Sequence, residues 1–594
     1  MDRRRGRIPG PAVVAIMTDD VRSAGDWIVG IDLGTTNSLV AVVEDRKPHV
    51  LSVDGRPLLP SVVGVDTEGR RIVGEAARNQ YLTAPERTVR SIKRQMGKPG
   101  VSVTLGTTSY APEEISAFIL RRLAEEATLQ LGQGVGRTVI TVPAYFTDRQ
   151  RQLTVRAGEL AGLEVVRLLN EPTAAALAYG CDRAGASTAL VYDLGGGTFD
   201  VSVVELGGGI TEVRASHGNR ELGGDDFDAR IVDWLVRAFL QEHNLDLRRD
   251  PVAMARLVRA AETAKIHLSD HPYAEVREEF LASRGGRSLH LHAELARIEF
   301  EDMIRPLLLG TLGSVRRALK DSGLDARALD EVLLVGGSTH IPAVWELVAE
   351  ELGREPRQDL SAEEVVALGA AVQAGVISGQ GVDAILVDVA PHSLGIQTLR
   401  FDEDGEPDHD HFVPLIRRNT AIPVSHSEFF YTLSPEQDAV DIMVYQGEES
   451  AASRNTYLGQ LSFRELSPSP KGGQREVLVA FDYDLSGILH VGVVDRQTGR
   501  NEEMRLDTVA LRSTQNSGGL SPNDAALLER LKTLGTRWAA EPGRTDRARS
   551  RKELDDLVTV AERIRAGGAD VDLEAWREDA ASFLFEYEFE GQEA

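Results

Sequence analysis

An Asp-Leu-Gly turn between two short apolar segments occurs twice in this chain, and this repeat constrains the fold more than any other feature. The first turn, at residues 32–37, joins the strand-like segments 27–33 and 38–43. The second, at residues 193–198, joins segments 189–194 and 199–206. Because glycine and small hydroxyl residues in a tight turn let backbone N–H groups approach an anion, both turns suit a phosphate. The repeat predicts two lobes that each contribute one phosphate turn.

The two turns also supply candidate metal carboxylates. A carboxylate beside phosphates normally reaches them through Mg²⁺ or its waters, which assigns Asp32 and Asp193 to the metal. Thr36 and Thr198 can add hydroxyl contacts. Two ordinary hairpin turns are the plain alternative, but a matched pair favours a nucleotide site. The candidate phosphate-binding residues are Gly34, Thr35, Thr36, Asn37, Gly195, Gly196 and Gly197.

Strands alternate with helices between and after the two turns. Residues 137–142 and 331–335 have the pattern of buried strands, and residues 148–161 that of a helix. Pro172 suits the first turn of another helix, and a further helix begins at Pro342. This alternation predicts an α/β architecture. The Walker A pattern and the His-Glu-x-x-His pattern do not occur in the sequence, which disfavours a P-loop fold and that kind of zinc site.

The sequence changes character after Gly379. The apolar segment Ile385-Leu386-Val387 follows a Gly-rich stretch and is predicted to be a linker. Closely spaced strands with Gly, Pro and Asn turns then predict a β-sandwich. Helical patterns follow, opened by Ser521-x-x-Asp524 and Ser550-x-x-Glu553. The predicted strands of the sandwich are residues 393–401, 428–432, 440–446, 457–463, 477–481 and 488–494.

Net charge, cysteine content and the length of apolar runs limit the partners and the cellular compartment that the chain can have. The formal net charge of −26 over 594 residues argues against broad binding of nucleic acid or of an anionic membrane. The single cysteine, Cys181, rules out an intramolecular disulfide or a multi-cysteine metal site and fits a cytoplasmic setting. The apolar stretch 12–17 is shorter than a signal-peptide core, so residues 1–25 are predicted to be a disordered extension, or translation to begin at Met17. No run is long enough to span a bilayer.

The sequence also contains six longer motifs, at residues 30–38, 142–146, 170–180, 193–200, 222–228 and 335–339. Together these motifs resemble those of the heat shock protein 70 chaperones of the bacterial DnaK type. The resemblance covers roughly residues 27–511 and implies a multi-domain chain. Its parts are an N-terminal extension (1–25), an actin-like (ribonuclease H-like) two-lobed α/β ATPase domain (26–378), a linker (379–391), a β-sandwich peptide-binding domain (392–512), and a short α-helical lid with an acidic tail (513–594).

The resemblance also implies residue roles in ATP hydrolysis. Lys93 matches the lysine that positions the attacking water, and Glu171 matches the glutamate that assists it. Asp200 matches a carboxylate near the metal and the water, and Thr198 the threonine at the γ-phosphate. The implied cofactors are ATP or ADP with Mg²⁺, and K⁺ is a further candidate ion. The nucleotide-binding residues added by the match are Gly223, Gly224, Glu262, Lys265, Ser269, Gly336, Gly337, Ser338, His340 and Glu363.

A second set of matches concerns peptide binding and coupling between domains. Pro143 and Arg151 match the family's proline switch and its relay, while Arg167 and Asp388 match its interdomain and J-protein surface. The implied partners are extended hydrophobic peptides, a J-domain co-chaperone and a nucleotide exchange factor, with no nucleic acid or membrane. Ordinary sandwich core is the alternative for the apolar candidates. The peptide pocket would use Ile396, Phe430, Val440, Ile442 and Ile488, with Leu399 and Leu433 as the arch over the peptide.

The chain departs from the family pattern at several points. His340 stands where the family has an arginine that stacks on adenine, and Glu363 where it has aspartate. The segment formed by residues 94–106 is shorter than the equivalent segment of DnaK, and the C-terminal helices are also shorter. The tail does not carry the sequence Glu-Glu-Val-Asp. Together with residues 431–438, the shorter form resembles the smaller HscC branch.

Two other classes of protein share part of this pattern. A sugar-kinase-like phosphotransferase also uses two Asp-Gly phosphate turns, but it predicts no β-sandwich after residue 388. A non-hydrolysing nucleotide-binding scaffold would keep the fold without the reaction, and the presence of Lys93, Glu171 and Thr198 opposes it. The favoured hypothesis is that ATP closes the lobes and docks the linker, which opens the peptide site, and that hydrolysis reverses both changes.

Overall fold

The computed structural model describes most of the chain. The described residues are 27–180, 185–380, 382, 384–401, 407–469, 473–505 and 548–565, with the single positions 528, 531, 532 and 576. The predictions for residues 1–25, for Met17, for Cys181 and for the acidic tail lie outside the described residues. Of the helix predicted to be opened by Ser521, only residues 528, 531 and 532 are described, and all three are helical.

Residues 27–378 alternate strands and helices, as the sequence predicts. The strands are β1 (Trp27–Asp32), β2 (Asn37–Glu44), β3 (Lys47–Leu51), β4 (Leu59–Pro60), β5 (Val62–Val65), β6 (Arg71–Val73), β7 (Thr88–Arg90), β8 (Val103–Leu105), β9 (Thr108–Tyr110), β10 (Val135–Val142), β11 (Glu164–Asn170), β12 (Ser187–Leu194), β13 (Phe199–Gly207), β14 (Ile210–Asn219), β15 (Tyr273–Arg284), β16 (Arg287–Ala296) and β17 (Glu331–Val335). The α-helices are α1 (Glu75–Tyr81), α2 (Pro112–Leu131), α3 (Asp148–Ala161), α4 (Glu171–Gly180), α5 (Gly224–His243), α6 (Pro251–Asp270), α7 (Arg297–Ser322), α8 (Pro342–Leu352) and α9 (Val365–Ser378).

Two mixed six-stranded sheets carry the internal repeat. The first has the order β11-β10-β1-β2-β3, with β4 paired to β2, and the second contains β17, β12, β13 and β14 in that order. In the first sheet β1 pairs antiparallel with β2 and parallel with β10. In the second, β12 pairs antiparallel with β13 and parallel with β17. Each Asp-Leu-Gly turn therefore connects the antiparallel pair of an equivalent sheet, which is the arrangement the repeated pattern predicts.

Helices α4 and α9 join the two sheets beneath the turns. One buried apolar cluster includes Ile28 of the first sheet, Val191 of the second, Ala175 of α4 and Ala370 of α9. The two helices approach so closely that a Cβ at Gly369 would lie 1.8 Å from the carbonyl oxygen of Ala174. A glycine is therefore required at this crossing, and the relative position of the two turns depends on it.

Residues 385–505 form a β-rich region. Its strands are β18 (Ile385–Val389), β19 (Leu394–Phe401), β20 (Pro407–Ile416), β21 (Ala421–Ile422), β22 (Val424–Tyr431), β23 (Val440–Gln446), β24 (Thr456–Phe463), β25 (Glu476–Tyr483), β26 (Leu489–Asp495) and β27 (Asn501–Arg505). Two four-stranded sheets, β20-β19-β23-β24 and β22-β25-β26-β27, share one apolar core that includes Val444 and Phe481. This agrees with the predicted sandwich, although strands β20 and β27 were not predicted from the sequence.

The segment predicted to be a linker forms strand β18. It pairs parallel with β14, with Ile210 opposite Ile385 and Glu212 opposite Val387, and antiparallel with β21. The linker residues therefore extend the second sheet and connect it to the β-rich region. Since β14 would otherwise be an edge strand, this pairing satisfies its free backbone groups.

Part of the C-terminal helical region is described. Helix α10 (Ala548–Arg565) begins two residues before the predicted capping residue Ser550. Its residues Leu554, Leu557 and Ala561 are buried, and Trp576 Nε1 donates a hydrogen bond of 2.9 Å to the Leu557 carbonyl. Within the described residues, no helix has the length and apolar character needed to cross a membrane.

Candidate functional site

A cleft with about 940 Å³ of empty space lies between the two Asp-Leu-Gly turns. Most of the residues predicted to bind nucleotide or metal lie on its wall, although they come from seven separated segments of the chain. The predicted residues that line it are Asp32, Gly34, Thr35, Thr36, Asn37, Lys93, Glu171, Asp193, Gly195, Gly196, Thr198, Glu262, Lys265, Gly336, Gly337, Ser338 and Glu363.

Six other predicted residues do not line the cleft. Gly197, Gly223 and Gly224 lie directly behind the second turn, where a Cβ at Gly223 would be 2.5 Å from the Gly197 nitrogen. Asp200 is buried in the second sheet. Ser269 accepts a hydrogen bond from Arg297 through its carbonyl oxygen, and His340 is exposed. The apolar part of the wall was missed by sequence reasoning; it comprises Leu39, Leu58, Ile266, Ala362 and Val366.

The two turns touch each other at the floor of the cleft. A Cβ built at Gly196 would lie 2.0 Å from Thr36 Oγ1, and one at Gly197 would lie 2.7 Å from Thr35 Oγ1. Both distances are shorter than van der Waals contact, so the turns can approach only because these residues are glycines. This close approach lets backbone groups of both turns face the same small volume, as a phosphate chain requires.

A buried ion pair lies at the base of the cleft. Lys93 Nζ donates to Glu171 Oε1 at 2.5 Å, and only 5% of Lys93 and 8% of Glu171 are exposed. Lys93 belongs to the short helical turn Ile92–Gln95, whereas Glu171 begins α4 directly after β11. Burial of two charges is costly unless they are paired, so this geometry fixes the ammonium beside the phosphate turns.

Three aspartates surround this pair with excess negative charge. Burial, followed by repulsion from Glu171, raises the pKa of Asp32 to about 7 and that of Asp200 to about 8. The same two causes raise the pKa of Asp193 well above its usual range. Lys93 is the cation that offsets these effects in all three cases. One ammonium does not neutralise four buried carboxylates, and a divalent cation would favour their ionised forms.

These residues fit a Mg²⁺ ion held mainly through water. Among the residues that the structure describes, no group of three or more carboxylate, imidazole or thiol side chains is close enough to form a complete metal cage. Mg²⁺ normally keeps several waters and takes only one or two protein carboxylates in addition to phosphate oxygens. Asp32 and Asp193 would supply those carboxylates.

Two ion pairs connect the two sides of the cleft. Arg90 contacts Asp225 at 3.1 Å, and Arg94 contacts Asp226 at 3.0 Å. Both aspartates lie in the first turn of α5, where an acidic side chain also interacts favourably with the helix dipole. These pairs hold the first sheet and its neighbours against α5, and sequence reasoning did not identify them.

The adenosine-side candidates form a second ionic group on α6. Lys265 Nζ lies 2.9 Å from Asp228 Oδ1 and donates to the Gly224 carbonyl at 3.2 Å. Burial raises the pKa of Asp228 to about 6 despite the attraction of Lys265. Arg259 pairs with Glu262 at 3.4 Å one turn earlier on the same helix. Lys265 and Glu262 are therefore held in place at the rim of the cleft.

The predicted coupling residues meet at the contact between the α/β region and the β-rich region. Arg151 donates to the carbonyl oxygens of Ala144 and Ser486 and to Asn170 Oδ1, at 3.0, 3.3 and 2.6 Å. Asn170 in turn donates to Asp388 Oδ2 at 3.1 Å. Since Asn170 immediately precedes Glu171, this network joins β18 and the loop after β25 to the base of the cleft.

Two more predicted residues belong to the same contact. Pro143 is buried in the loop after β10, where its carbonyl accepts from Phe146 at 3.1 Å. Arg167 lies on β11, and burial lowers its pKa, an effect that Asp388 and Asp484 partly offset. Sequence reasoning missed Asp148, whose carboxylate accepts from the Leu489 amide at 2.8 Å across the contact.

The predicted peptide-binding residues divide into two groups. Ile396 and Ile442 belong to the apolar core of the β-rich region, Ile488 is buried, and Phe430 and Val440 pack at the edge of that core. By contrast, Leu399 is half-buried and Leu433 is 55% exposed. The structure therefore places the pocket candidates in the core and the arch candidates toward the surface.

The geometry agrees with a comparison against known protein families. A family model described as Hsp70 protein matches residues 28–100 and 97–526, which is most of the chain. Members of that family are ATPases that bind nucleotide with Mg²⁺ and act as chaperones on unfolded peptides together with co-chaperones. The match does not favour a sugar-kinase-like phosphotransferase. The chain belongs to the Hsp70 family.

Proposed function

We propose that this chain is an ATP-dependent chaperone that hydrolyses ATP to ADP and phosphate and uses the reaction to bind and release extended hydrophobic peptides. The observation that carries the proposal is the buried Lys93–Glu171 pair, at 2.5 Å, between the two phosphate turns. A scaffold that only bound nucleotide would not need this pair, because desolvation of two buried charges costs several kcal/mol per ion.

The reaction requires a water held in line with the γ-phosphate. Lys93 donates to that water, and Glu171 accepts from it and fixes the ammonium. Thr198, which lines the cleft, places its hydroxyl at the γ-phosphate. Asp200 lies behind the turn, where its Oδ1 accepts a hydrogen bond from the Tyr145 amide at 3.1 Å. Its second carboxylate oxygen would contact waters that are ordered beside the phosphates.

Nucleotide binding uses the two turns and the rim residues. Backbone N–H groups of residues 34–37, 196 and 197 face the phosphates, whereas the Gly195 amide donates to the Thr198 carbonyl within the turn. Asp32 and Asp193 would hold Mg²⁺ through its waters. Bound Mg²⁺ neutralises charge on the phosphate oxygens. Glu262, Lys265 and Glu363 bind the adenosine. Ser269 and His340, which lie off the cleft wall, contribute in a more closed arrangement.

The proposed domains follow the predicted boundaries. Residues 26–378 form the two-lobed ATPase domain, 379–391 the linker, 392–512 the peptide-binding domain and 513–594 a reduced lid. The pairing of β18 with β14 supports a docked linker, and the path from Asp388 through Asn170 to Glu171 supports coupling to hydrolysis. By linkage, a bound peptide then changes the affinity for ATP by the same factor as ATP changes the affinity for peptide.

The partners and the branch of the family are parts of the same proposal. A J-domain would bind at the surface that carries Arg167 and Asp388, and an exchange factor would act on the ATPase domain in the cytoplasm. The short segment 94–106 and the reduced lid support membership of the HscC branch rather than a close relationship to DnaK itself.

The coupling is tested by steady-state ATPase rates with and without an extended hydrophobic peptide and a J-domain. We expect the peptide to raise the rate of the wild type and not that of Leu386→Asp, because Leu386 packs against the core that contains α4. Ile385→Asp is the matched control, since Ile385 is 60% exposed on the same strand. A peptide-independent wild-type rate would contradict the coupling, and no measurable hydrolysis would contradict the enzyme activity.

A further inference from the structure

Three aromatic rings, centred on Tyr145, lie where the two sheets and the β-rich region meet. Tyr145 follows β10 of the first sheet, His217 lies on β14 of the second, and His392 lies between β18 and β19. The Tyr145 ring is 4.9 Å from that of His217 and 4.1 Å from that of His392, measured between centroids. We call these three residues the Tyr145 stack.

The Tyr145 stack requires a neutral imidazole at His392. His392 Nε2 lies 3.2 Å from the Tyr145 carbonyl oxygen, which can only accept, so Nε2 carries the proton. Burial lowers the pKa of His392 to about 3. A second proton on this ring would add a positive charge inside the contact.

His217 also requires a neutral ring. Arg317 Nη1 donates to His217 Nε2 over 3.4 Å, so the lone pair is at Nε2 and the proton at Nδ1, which is buried without a hydrogen-bond partner among the described residues. A second proton would have to sit between Nε2 and the guanidinium. Burial, followed by the charge of Arg317, lowers the pKa of His217 to about 4.

The charged groups around the stack are mainly cations. Those that face the three rings are Arg151, Arg220, Arg317 and Arg418, with Asp321 and Glu448 as the acids. Both acids already have partners, since Asp321 holds Arg418 at 2.9 Å and Glu448 accepts from Ser393 Oγ at 3.0 Å. A protonated imidazole in the stack therefore finds no uncommitted counter-ion among these groups.

We propose that the Tyr145 stack is a proton-sensitive lock, which keeps the β-rich region docked on the α/β region only while both imidazoles are neutral. The lock rests on the proposed function, because it needs an exchange between docked and undocked arrangements. Undocking exposes His217 and His392 to water, where an imidazole takes up a proton near pH 6.5. Acidification then favours the undocked arrangement through both rings.

Two carboxylates at the same contact act in the opposite sense. Burial raises the pKa of Asp148 to about 7 and also raises that of Asp388, so docking takes up protons at these positions. The pH profile of the wild type is therefore a sum of opposed contributions. To separate the contribution of the histidines from that of the carboxylates, the docking constant of the wild type is divided by that of a histidine variant at each pH. The carboxylate contributions are the same in both proteins and cancel in this ratio.

Hydrogen exchange of the β18 amides in the ATP-bound full chain reports docking, because the Ile385 amide donates to the Gly209 carbonyl at 2.8 Å only when β18 lies against β14. After correction for intrinsic exchange, we expect the ratio of wild type to His392→Leu to fall about tenfold from pH 7.5 to pH 5.5, since an exposed imidazole is roughly nine-tenths protonated at the lower pH. His217→Asn is the second variant and should give a similar fall.

The matched control is His426→Leu, because His426 is an exposed histidine of β22 and is not one of the three rings of the stack. Its ratio to the wild type should stay constant with pH. Ratios that do not change with pH for both His392→Leu and His217→Asn would overturn the lock while leaving the proposed function intact. Unprotected β18 amides in the wild type at pH 7.5 would instead overturn the docking on which the lock rests.

Discussion

The contact between the two phosphate turns predicts the effect of one added methyl group. In Gly196→Ala the new Cβ would lie 2.0 Å from Thr36 Oγ1 and 3.2 Å from Thr36 Cβ. Rotation of the threonine side chain relieves the first contact but not the second, so the turns must move apart. Over-packing of this kind costs about 1–3 kcal/mol. If closure of the turns on the phosphates is needed for binding, that cost weakens ATP binding by about 5- to 150-fold.

The assay is a calorimetric titration of the protein with ATP in the presence of Mg²⁺, which gives the dissociation constant. Gly136→Ala is the matched control, because a Cβ there meets no atom within 4 Å. A second comparison uses Thr36→Gly, which removes both Oγ1 and Cβ; the penalty of Gly196→Ala should shrink in that background, with a coupling of about 1 kcal/mol or more. Affinity within twofold of the wild type for Gly196→Ala, or full additivity in the cycle, would refute the reasoning.

Three further predictions concern the core and the contact between regions. Gly369→Ala forces α4 and α9 apart and should lower the free energy of unfolding by about 3 kcal/mol, measured by denaturant titration. Asp148→Asn should flatten the pH dependence of stability between pH 4 and 7: the folded carboxyl keeps its proton up to about pH 7, so the stabilisation present at low pH is lost as the pH rises through that window. Asn170→Ala removes the link between Arg151 and Asp388 and should speed exchange of the β18 amides at least about fivefold, whereas unchanged exchange would exclude Asn170 from the coupling path.

Local patterns predicted much of the fold. Helix α3 and strand β17 have the predicted bounds, because Thr147 caps the beginning of α3 and Gly336 directly follows the end of β17. Strand β20 was missed because its alternating Asp-His-Asp-His start hides the apolar pattern. The strand state of β18 was missed because it depends on pairing with β14, which is distant in sequence.

The candidate site divides in the same way. The glycines and aspartates of the turns could be predicted because their chemistry is visible in short motifs. Contacts between distant segments could not, since nothing in either segment specifies the other. Arg90 meets Asp225 across 135 positions of sequence, and the Tyr145 stack assembles rings from three separate segments.

Single-turnover ATP hydrolysis by Lys93→Ala tests the central claim most directly. Removal of one preorganised donor from a reaction site typically lowers the rate by about 10²–10³, so we expect a loss of about 100-fold or more with ATP binding retained. Lys98→Ala is the matched control, because this substitution removes the same charge from the same segment. The Lys98 side chain is 44% exposed and pairs with Glu221 outside the cleft. A near-normal rate for Lys93→Ala with intact ATP binding would contradict the account.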